Sequence, residues 1–353
     1  MNIGGREIGT ESLPYIVAEI GVNHDGSVAR ALELTDAAAD AGADAVKLQY
    51  FRTDLLMSRA AKLAAYQKNA GETDPVEMLR RLELDRDALA CVVERAHAHG
   101  IHAIVTPFSV ELVDELEPLG WGAFKTASPD IVHRPLLERL VATGRPMIVS
   151  TGASTMEEVA RAVGWLDPAR NRLALLQCVS CYPAPDEAIG GIGALRDATG
   201  LPVGYSDHTD SEGTGAAAVA NGACVLEKHF TYDRSSHGPD HRASLEPDAF
   251  ARYATLARSE PVSAGECRQE KRVLDCERNV REVSRQSIVT TRALEPGHTI
   301  TRGDLTFKRP GTGFEPWRLD EVVGQTTAHA VEADVPVTPD DLVQATIHGS
   351  KHR

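Results

Sequence analysis

Short apolar runs recur through the first two thirds of the chain, separated by longer segments in which apolar residues fall at helical spacing. The runs are Y-I-V-A-E-I-G (15–21), A-V-K-L-Q-Y (45–50), H-A-I-V-T-P-F (102–108), A-F-K-T-A-S (123–128), M-I-V-S-T-G (147–152), L-A-L-L-Q-C-V-S (173–180), P-V-G-Y-S-D-H (202–208) and C-V-L-E-K-H-F (224–230). Between them, Val28 to Ala41, Leu112 to Leu119, Pro135 to Thr143 and Met156 to Leu166 read as helices, so the repeating unit is strand then helix. Eight such units predict an α/β chain closed into a (β/α)8 barrel of the TIM type rather than an open doubly wound sheet.

The connection from Phe51 to Asp85 is longer than the others and contains a helical piece ending at Gly71 and Pro75; such loops either cover a substrate or are solvated connecting helices. The pattern changes after the eighth helix. We read residues 1–258 as the barrel, the charged stretch 259–284 as a linker and 285–353 as a small, mostly β domain. The last contains a repeat, A-L-E-P-G-H-T-I-T-R-G-D-L (293–305) against A-V-E-A-D-V-P-V-T-P-D-D-L (330–342), which suggests pseudo-twofold symmetry. Its core is small enough that it should lean on something else.

The length of 353 residues suits this division, and a formal net charge of -14 excludes broad binding to nucleic acid or an anionic membrane. A small anionic substrate stays open if a few lysines converge. No apolar leader region or run of membrane-spanning length is present, so a cytoplasmic location and no membrane partner are expected. Six scattered cysteines give no disulfide framework, and Cys178-Val-Ser-Cys181 stands alone, read as a reduced structural pair.

Barrels of this type carry their chemistry where strands end. Those ends hold Glu19, Lys47, Gln49, Thr106, Lys125, Ser128, Ser150, Ser180, Ser206, His208 and His229. A lysine inside an apolar strand costs several kcal/mol unless it meets an anion or water. Lys47 and Lys125 therefore point to an anionic ligand, and hydroxyls at Thr106, Ser128, Ser150 and Ser206 make phosphate the natural one. The alternative is that each lysine pairs with a strand-end carboxylate such as Glu19 or Glu227. His208 and His229, ending successive strands, are expected to hold a metal, of which Mn, Co, Fe, Ni and Zn all suit imidazole. The bland alternative is a core histidine bonded to a carbonyl. His97, His99 and His102 fall at the opposite end and read as helix-end or turn residues.

A series of motifs, in order along nearly the whole chain, resembles the sialic acid synthase (N-acetylneuraminate synthase) family. It comprises A-E-I-G-V-N-H-D-G (18–26), A-G-A-D-A-V-K-L-Q (41–49), T-P-F-S (106–109), K-T-A-S (125–128), S-T-G (150–152), C-V-S-C-Y-P-A-P (178–185), G-Y-S-D-H-T (204–209), E-K-H-F (227–230) and G-P-D-H-R-A-S-L-E-P (238–247). K-R-P-G-T-G (308–313) is similar to the antifreeze-like (SAF) cap domain of these enzymes.

The resemblance implies condensation of phosphoenolpyruvate with an open-chain N-acetylmannosamine-like aldose, giving a nine-carbon keto acid and phosphate with C–O cleavage. It implies a divalent metal, Mn or Mg, on His208 and His229, and phosphoenolpyruvate on Lys47, Gln49, Thr106, Lys125, Ser128, Ser150 and Ser206. Glu19 matches the catalytic carboxylate. Asp130, Ser180, Tyr182, Asp240 and Arg309 would contact the sugar, Arg309 reaching across from the partner's cap in a domain-swapped homodimer. Two departures affect the acceptor: Pro129-Asp130 replaces Gly-Glu, and Ser180 replaces Asn. Pseudaminic, legionaminic or another keto-deoxy sugar acid therefore stays open as product. An octulosonate- or heptulosonate-phosphate synthase would need a second basic cluster, for which Arg309 alone is a clear candidate. The non-enzyme alternative is a carbohydrate- or ice-binding protein; an ice-binding face would need a regular Thr-rich array, and the cap has none.

Overall fold

Each of the eight apolar runs forms a strand: β1 (Tyr15–Gly21), β2 (Ala45–Tyr50), β3 (His102–Pro107), β4 (Ala123–Thr126), β5 (Met147–Ser150), β6 (Leu173–Cys178), β7 (Val203–Asp207) and β8 (Val225–His229). Sequence neighbours pair in parallel, and β8 pairs with β1 to close the barrel. The structure, a computed structural model, describes residues 1–262 and 270–343. Strands β4, β5 and β6 stop two residues before their apolar runs do, because those last residues leave the sheet for the loops above it.

The intervening helices include α1 (Val28–Asp40), α2 (Arg86–Ala98), α3 (Arg134–Ala142) and α4 (Met156–Leu166). Their starts are written locally. Ser27 accepts a hydrogen bond from the Arg30 amide ahead of α1, and Thr155 and Glu158 cap α4 reciprocally. The helix expected at 112–119 is instead a short α turn between two 3-10 turns. Pro118 lies in the second of these, where it supplies no amide hydrogen to continue an α-helix.

Alternation along the strands decides what fills the barrel. Outward residues such as Ile16, Ala18, Ile20, Val46 and Leu48 join the helices in the main core. Inward, Tyr15, Val17, Ala45, Ile104, Ala123, Ile148, Leu176 and Val225 form an apolar floor. Ile3 and Ile8, from the N-terminal ribbon region, belong to the same cluster. Further along the barrel strands the inward positions carry Glu19, Lys47, Thr106, Lys125, Ser150, Cys178, Ser206 and Glu227, all but Cys178 charged or hydroxylated. The barrel is thus dry below and chemically loaded above.

The C-terminal domain carries β9 (Ser287–Thr290) antiparallel to β10 (Leu305–Lys308), around its own cluster of Ile288, Leu294, Ile300, Leu305, Phe307, Phe314 and Val331. The internal repeat is structural. Asp304 accepts from the amide and hydroxyl of Thr301, Asp341 does the same for Thr338, and Leu294 bridges Val331 antiparallel. This domain does lean on the barrel: the Arg309 amide donates to Leu56 O at 2.8 Å, Ser58 N–H to Arg309 O at 3.1 Å, and Gln286 Nε2 to Phe108 O at 2.8 Å. Through these contacts Arg309 reaches the cavity at the open end of the barrel. Residues 263–269, in the stretch that joins the two, lie outside the described residues.

Within the stretch read as a linker, residues 270–284 are docked. α5 (Gly191–Thr199), α6 (Thr214–Ala220) and α7 (Pro247–Ser259) complete the barrel, and α8 (Arg278–Ser284) then lies against it, with Lys271 and Glu277 buried. Arg281 and Arg285 each clasp Glu158 at the start of α4 with two hydrogen bonds of 2.7–3.0 Å. Burial alone would raise the Glu158 pKa, but these bonds hold it at about 2, below its ordinary 4.5. A depressed carboxylate contributes stability that is present above its ordinary pKa and lost as pH falls toward the folded one. We therefore expect Glu158→Gln to lower Tm at pH 7, and thermal melts across pH to show the difference from wild type shrinking between pH 4.5 and about 2.

Candidate functional site

Register brings the polar layer together. His229 lies level with Glu19, Glu19 with Lys47, Gln49 with Thr106, and Ser206 with both Cys178 and Glu227. The cavity above the floor is lined by Glu19, Lys47, Gln49, Thr106, Lys125, Ser128, Ser150, Ser180, Tyr182, Ser206, His208, His229, Asp240 and Arg309. Of the residues singled out in the sequence, Asp130 is the exception. Residues Ser128–Val132 form a 3-10 turn that presents Ser128 and Pro129 to the cavity, while the Asp130 side chain lies behind them, 3.4 Å from Gln286 Nε2. Its expected contact with the sugar is therefore not what the structure shows.

Both lysines are buried, and both meet carboxylates, as the alternative reading foresaw. Lys47 Nζ lies 2.6 Å from Glu19 and 4.0 Å from Glu227, and donates to Thr106 Oγ1 at 3.3 Å. Lys125 Nζ lies 3.3 Å from Glu227 and donates to Ser150 Oγ at 2.6 Å. Glu227 also accepts from Ser206 Oγ at 2.8 Å. Against the desolvation that burial imposes, Lys125 and Lys47 hold Glu227 at about 2. Burial pushes Glu19 the other way, above its ordinary value, despite Lys47. Burial and the neighbouring Glu19 raise Asp240 to about 7. Two ammonium groups thus share one firmly ionised carboxylate, a balance that favours an incoming anion.

Backbone approach matters at two points. Gly21 follows an irregularity in β1 at φ +38°, and a Cβ there would sit 2.6 Å from Glu19 Oε1 and 2.9 Å from Gln49 Nε2, two atoms hydrogen-bonded to each other at 2.8 Å. At Gly152 a Cβ would fall 2.3 Å from Ser180 Oγ and 2.7 Å from Ser128 Oγ, while its amide donates to Ser128 Oγ at 3.0 Å. Each side chain against these glycines is held by absence of bulk.

The two histidines suit a metal. His208 Nδ1 lies 3.0 Å from Val179 O, which leaves Nε2 for another partner. His229 Nδ1 is buried without a hydrogen bond, with Asp240 Oδ2 at 3.7 Å, and burial drives the imidazole well below its ordinary pKa, so it is neutral. Their ring centres are 5.4 Å apart, with Tyr182 4.3 Å from His208. Among the described residues no cluster of three or more His, Cys, Asp or Glu side chains could hold a metal ion. A cation on His208 and His229 would complete its shell from water and substrate oxygens.

Two residues that shape the site, Tyr66 and Glu277, escaped the sequence reading. Tyr66, from the long connection, stacks 4.7 Å from Tyr182, so that loop covers the cavity. Glu277, in the stretch read as linker, accepts amide hydrogens from Ala153 at 2.6 Å and Ser180 at 2.8 Å; nothing in its surroundings signals this.

Asp130 gives a pH test. Burial raises its pKa from 3.8 to about 7 against Arg309 and Gln286. A raised carboxylate costs stability on ionising in the fold, so stability is lost as pH climbs from 3.8 through 7. We expect the Tm of Asp130→Asn, relative to wild type, to rise across that window and level off above it.

Comparison with known proteins gives the family of the chain. The pattern described as "NeuB family" matches residues 34–268, and that of the "SAF domain" matches residues 285–343. N,N'-diacetyllegionaminic acid synthase of Legionella pneumophila is 38% identical over 91% of this chain and 92% of its own. N-acetylneuraminate-9-phosphate synthase of Homo sapiens is 31% identical over 98% and 97%. The crystal structure of spore coat polysaccharide biosynthesis protein spsE from Bacillus subtilis superposes with a TM-score of 0.81 at 28% identity, covering 98% of this chain and 99% of that one. With the barrel, its polar layer and the C-terminal domain all accounted for, the chain belongs to the NeuB family and joins a NeuB barrel to an SAF domain.

Proposed function

We propose that this protein condenses phosphoenolpyruvate with the open-chain aldehyde of an N-acetylated hexose of the N-acetylmannosamine type, releasing phosphate and a nonulosonic acid. The observation that carries this reading is one cavity holding two buried lysines around a shared carboxylate, four hydroxyls and two imidazoles. Phosphoenolpyruvate brings a carboxylate and a phosphate. Lys47 and Lys125 take these anionic groups, with Thr106, Ser128, Ser150, Ser206 and Gln49 donating hydrogen bonds, so that they exchange contacts with Glu19 and Glu227 for contacts with substrate.

C3 of the bound enol attacks the aldehyde carbon, and water adds at the electron-poor C2. A divalent cation on His208 and His229, Mn or Mg in this reading, would supply a Lewis acid for the aldehyde oxygen, worth several kcal/mol. Glu19 accepts the proton of the incoming water; the burial that raises its pKa makes it a stronger base than an exposed carboxylate. The resulting tetrahedral phosphate ester collapses with cleavage of its C–O bond. Tyr66, Tyr182, Asp240 and the half-buried Arg309 form the acceptor's side of the cavity.

The reading also places the protein in the cytoplasm as a homodimer with exchanged caps, since the barrel–cap contacts described above would serve equally between subunits. Mixing Arg309→Ala with Glu19→Ala subunits tests the exchange: verified mixed dimers should recover part of the lost turnover, and no recovery would mean that each cap serves its own barrel.

Phosphate release from phosphoenolpyruvate with N-acetylmannosamine and diacetamido-hexose acceptors, followed by product mass, tests the reaction. Chelation should abolish it. His208→Ala and His229→Ala should each lower kcat by about a thousandfold or more and weaken divalent-metal binding in calorimetry, whereas Lys125→Ala should mainly raise KM for phosphoenolpyruvate, by about ten- to a hundredfold. Near-normal turnover by both histidine variants would overturn the metal role. Release only with a phosphorylated sugar would move the protein to the octulosonate-phosphate type.

A further inference from the structure

Ala153 is buried and holds φ +48°, a left-handed conformation that a residue with a Cβ disfavours. Both of its backbone groups are gripped from one short stretch after the barrel. Its amide donates to Glu277 Oε1 at 2.6 Å, and its carbonyl accepts from Arg281 Nη1 at 2.6 Å and Arg285 Nη2 at 3.2 Å. The same Glu277 Oε1 accepts the Ser180 amide at 2.8 Å, and Oε2 accepts that of Leu274 at 2.9 Å. Glu277 is fully buried, so its carboxylate spends its hydrogen-bonding capacity on backbone.

One carboxylate therefore ties the loop after β5 to the loop after β6. The first begins beside Ser150, the last residue of β5, which accepts from Lys125, and carries Gly152, whose amide donates to Ser128. The second carries Ser180 and Tyr182. The loops leave no slack between them, since a Cβ on Gly152 would lie 2.3 Å from Ser180 Oγ. Without the carboxylate, two buried amides lose their acceptor and the left-handed turn at Ala153 loses one side of its grip.

We propose that Glu277 is a positioning residue for the condensation: it holds both loops so that Ser128 and Ser150 face the anion while Ser180 and Tyr182 face the acceptor. This rests on the reaction proposed above. It also gives the stretch between barrel and cap a part in the active site.

Steady-state kinetics of Glu277 variants, with melts to report the folded fraction, tests this. Glu277→Ala should raise KM for both substrates by about tenfold with a smaller change in kcat, because substrate-contacting groups are displaced and not removed. Glu277→Gln should lie nearer wild type, since its amide oxygen can still accept from Ala153 and Ser180. Adding Ala153→Gly to Glu277→Ala should recover part of the KM loss, because glycine takes the left-handed turn without strain. The proposal is overturned by KM values that stay at wild type while activity follows only the folded fraction, by a Gln variant no better than Ala, or by no recovery with Ala153→Gly. Should Glu277→Ala not fold, Glu277→Asp withdraws the carboxylate by one methylene and is read the same way. If the wild type shows no turnover with any acceptor, the proposed reaction fails. Calorimetric binding of phosphoenolpyruvate to the same variants then still reads the positioning.

Discussion

Two ammonium groups inside a parallel barrel set the terms for everything above its floor. Burying each costs several kcal/mol even after relaxation, so Lys47 and Lys125 persist only because carboxylates and hydroxyls from neighbouring strands surround them. Replacing this layer by aliphatic residues would extend the apolar floor formed by Ile104, Ile148 and Leu176. Nature of the contacts matters more than their number. Glu227 is shared by both lysines and stays ionised, while burial pushes Glu19 toward its protonated form. A dianion that satisfied both lysines would take Lys47 from Glu19, so substrate binding and release of the Glu19 carboxyl group from its ion pair follow from one exchange of partners.

The rest of the structure closes this charged layer off. A barrel of this type is open at the C-terminal face, and the long connection and the SAF domain both roof that opening. Tyr66 comes from the first and Arg309 from the second, and the backbones of residues 56–58 and 309 pair directly. Excluding water strengthens each interaction within the cavity, which suits a mechanism in which one chosen water must add and others must not. Glu158 and Glu277 extend the same logic outward: the first locks the segment after the barrel onto the start of α4, the second onto the loops after β5 and β6.

How much of this was legible in the sequence depended on periodicity. Strand ends could be read because period two and an apolar background make Lys47, Lys125, His208 and His229 conspicuous, and the cavity gathers all four. The twofold repeat of the SAF domain was equally visible, since Thr301–Asp304 and Thr338–Asp341 form the same local turn. Asp130 misled because a 3-10 turn rotates successive side chains by about a third of a circle, so a residue two places beyond a cavity-facing Ser128 need not face the cavity. Glu277 left no trace at all. Its partners Ala153 and Ser180 lie 124 and 97 residues away, and it sits in a polar stretch whose burial arises only from docking.

This division between legible and hidden residues follows a division of labour. Most of the groups proposed to take the anion and supply the base, Glu19, Lys47, Thr106, Lys125, Ser150 and Ser206, lie in strands, where register fixes them to within a residue and a slip would turn them into the helical layer. The groups proposed for the acceptor side, Tyr66, Tyr182, Asp240 and Arg309, come from the connections above the barrel and from the SAF domain. Loops can change length and sequence without disturbing the barrel's hydrogen bonding, so acceptor choice can drift while the chemistry on phosphoenolpyruvate stays constant. The departures at Pro129-Asp130 and Ser180 fall outside the strands, whereas Glu19, Lys47, Lys125 and His229 lie within them. The reaction class is therefore carried by the strands, and the identity of the sugar by what the loops and the SAF domain build around them.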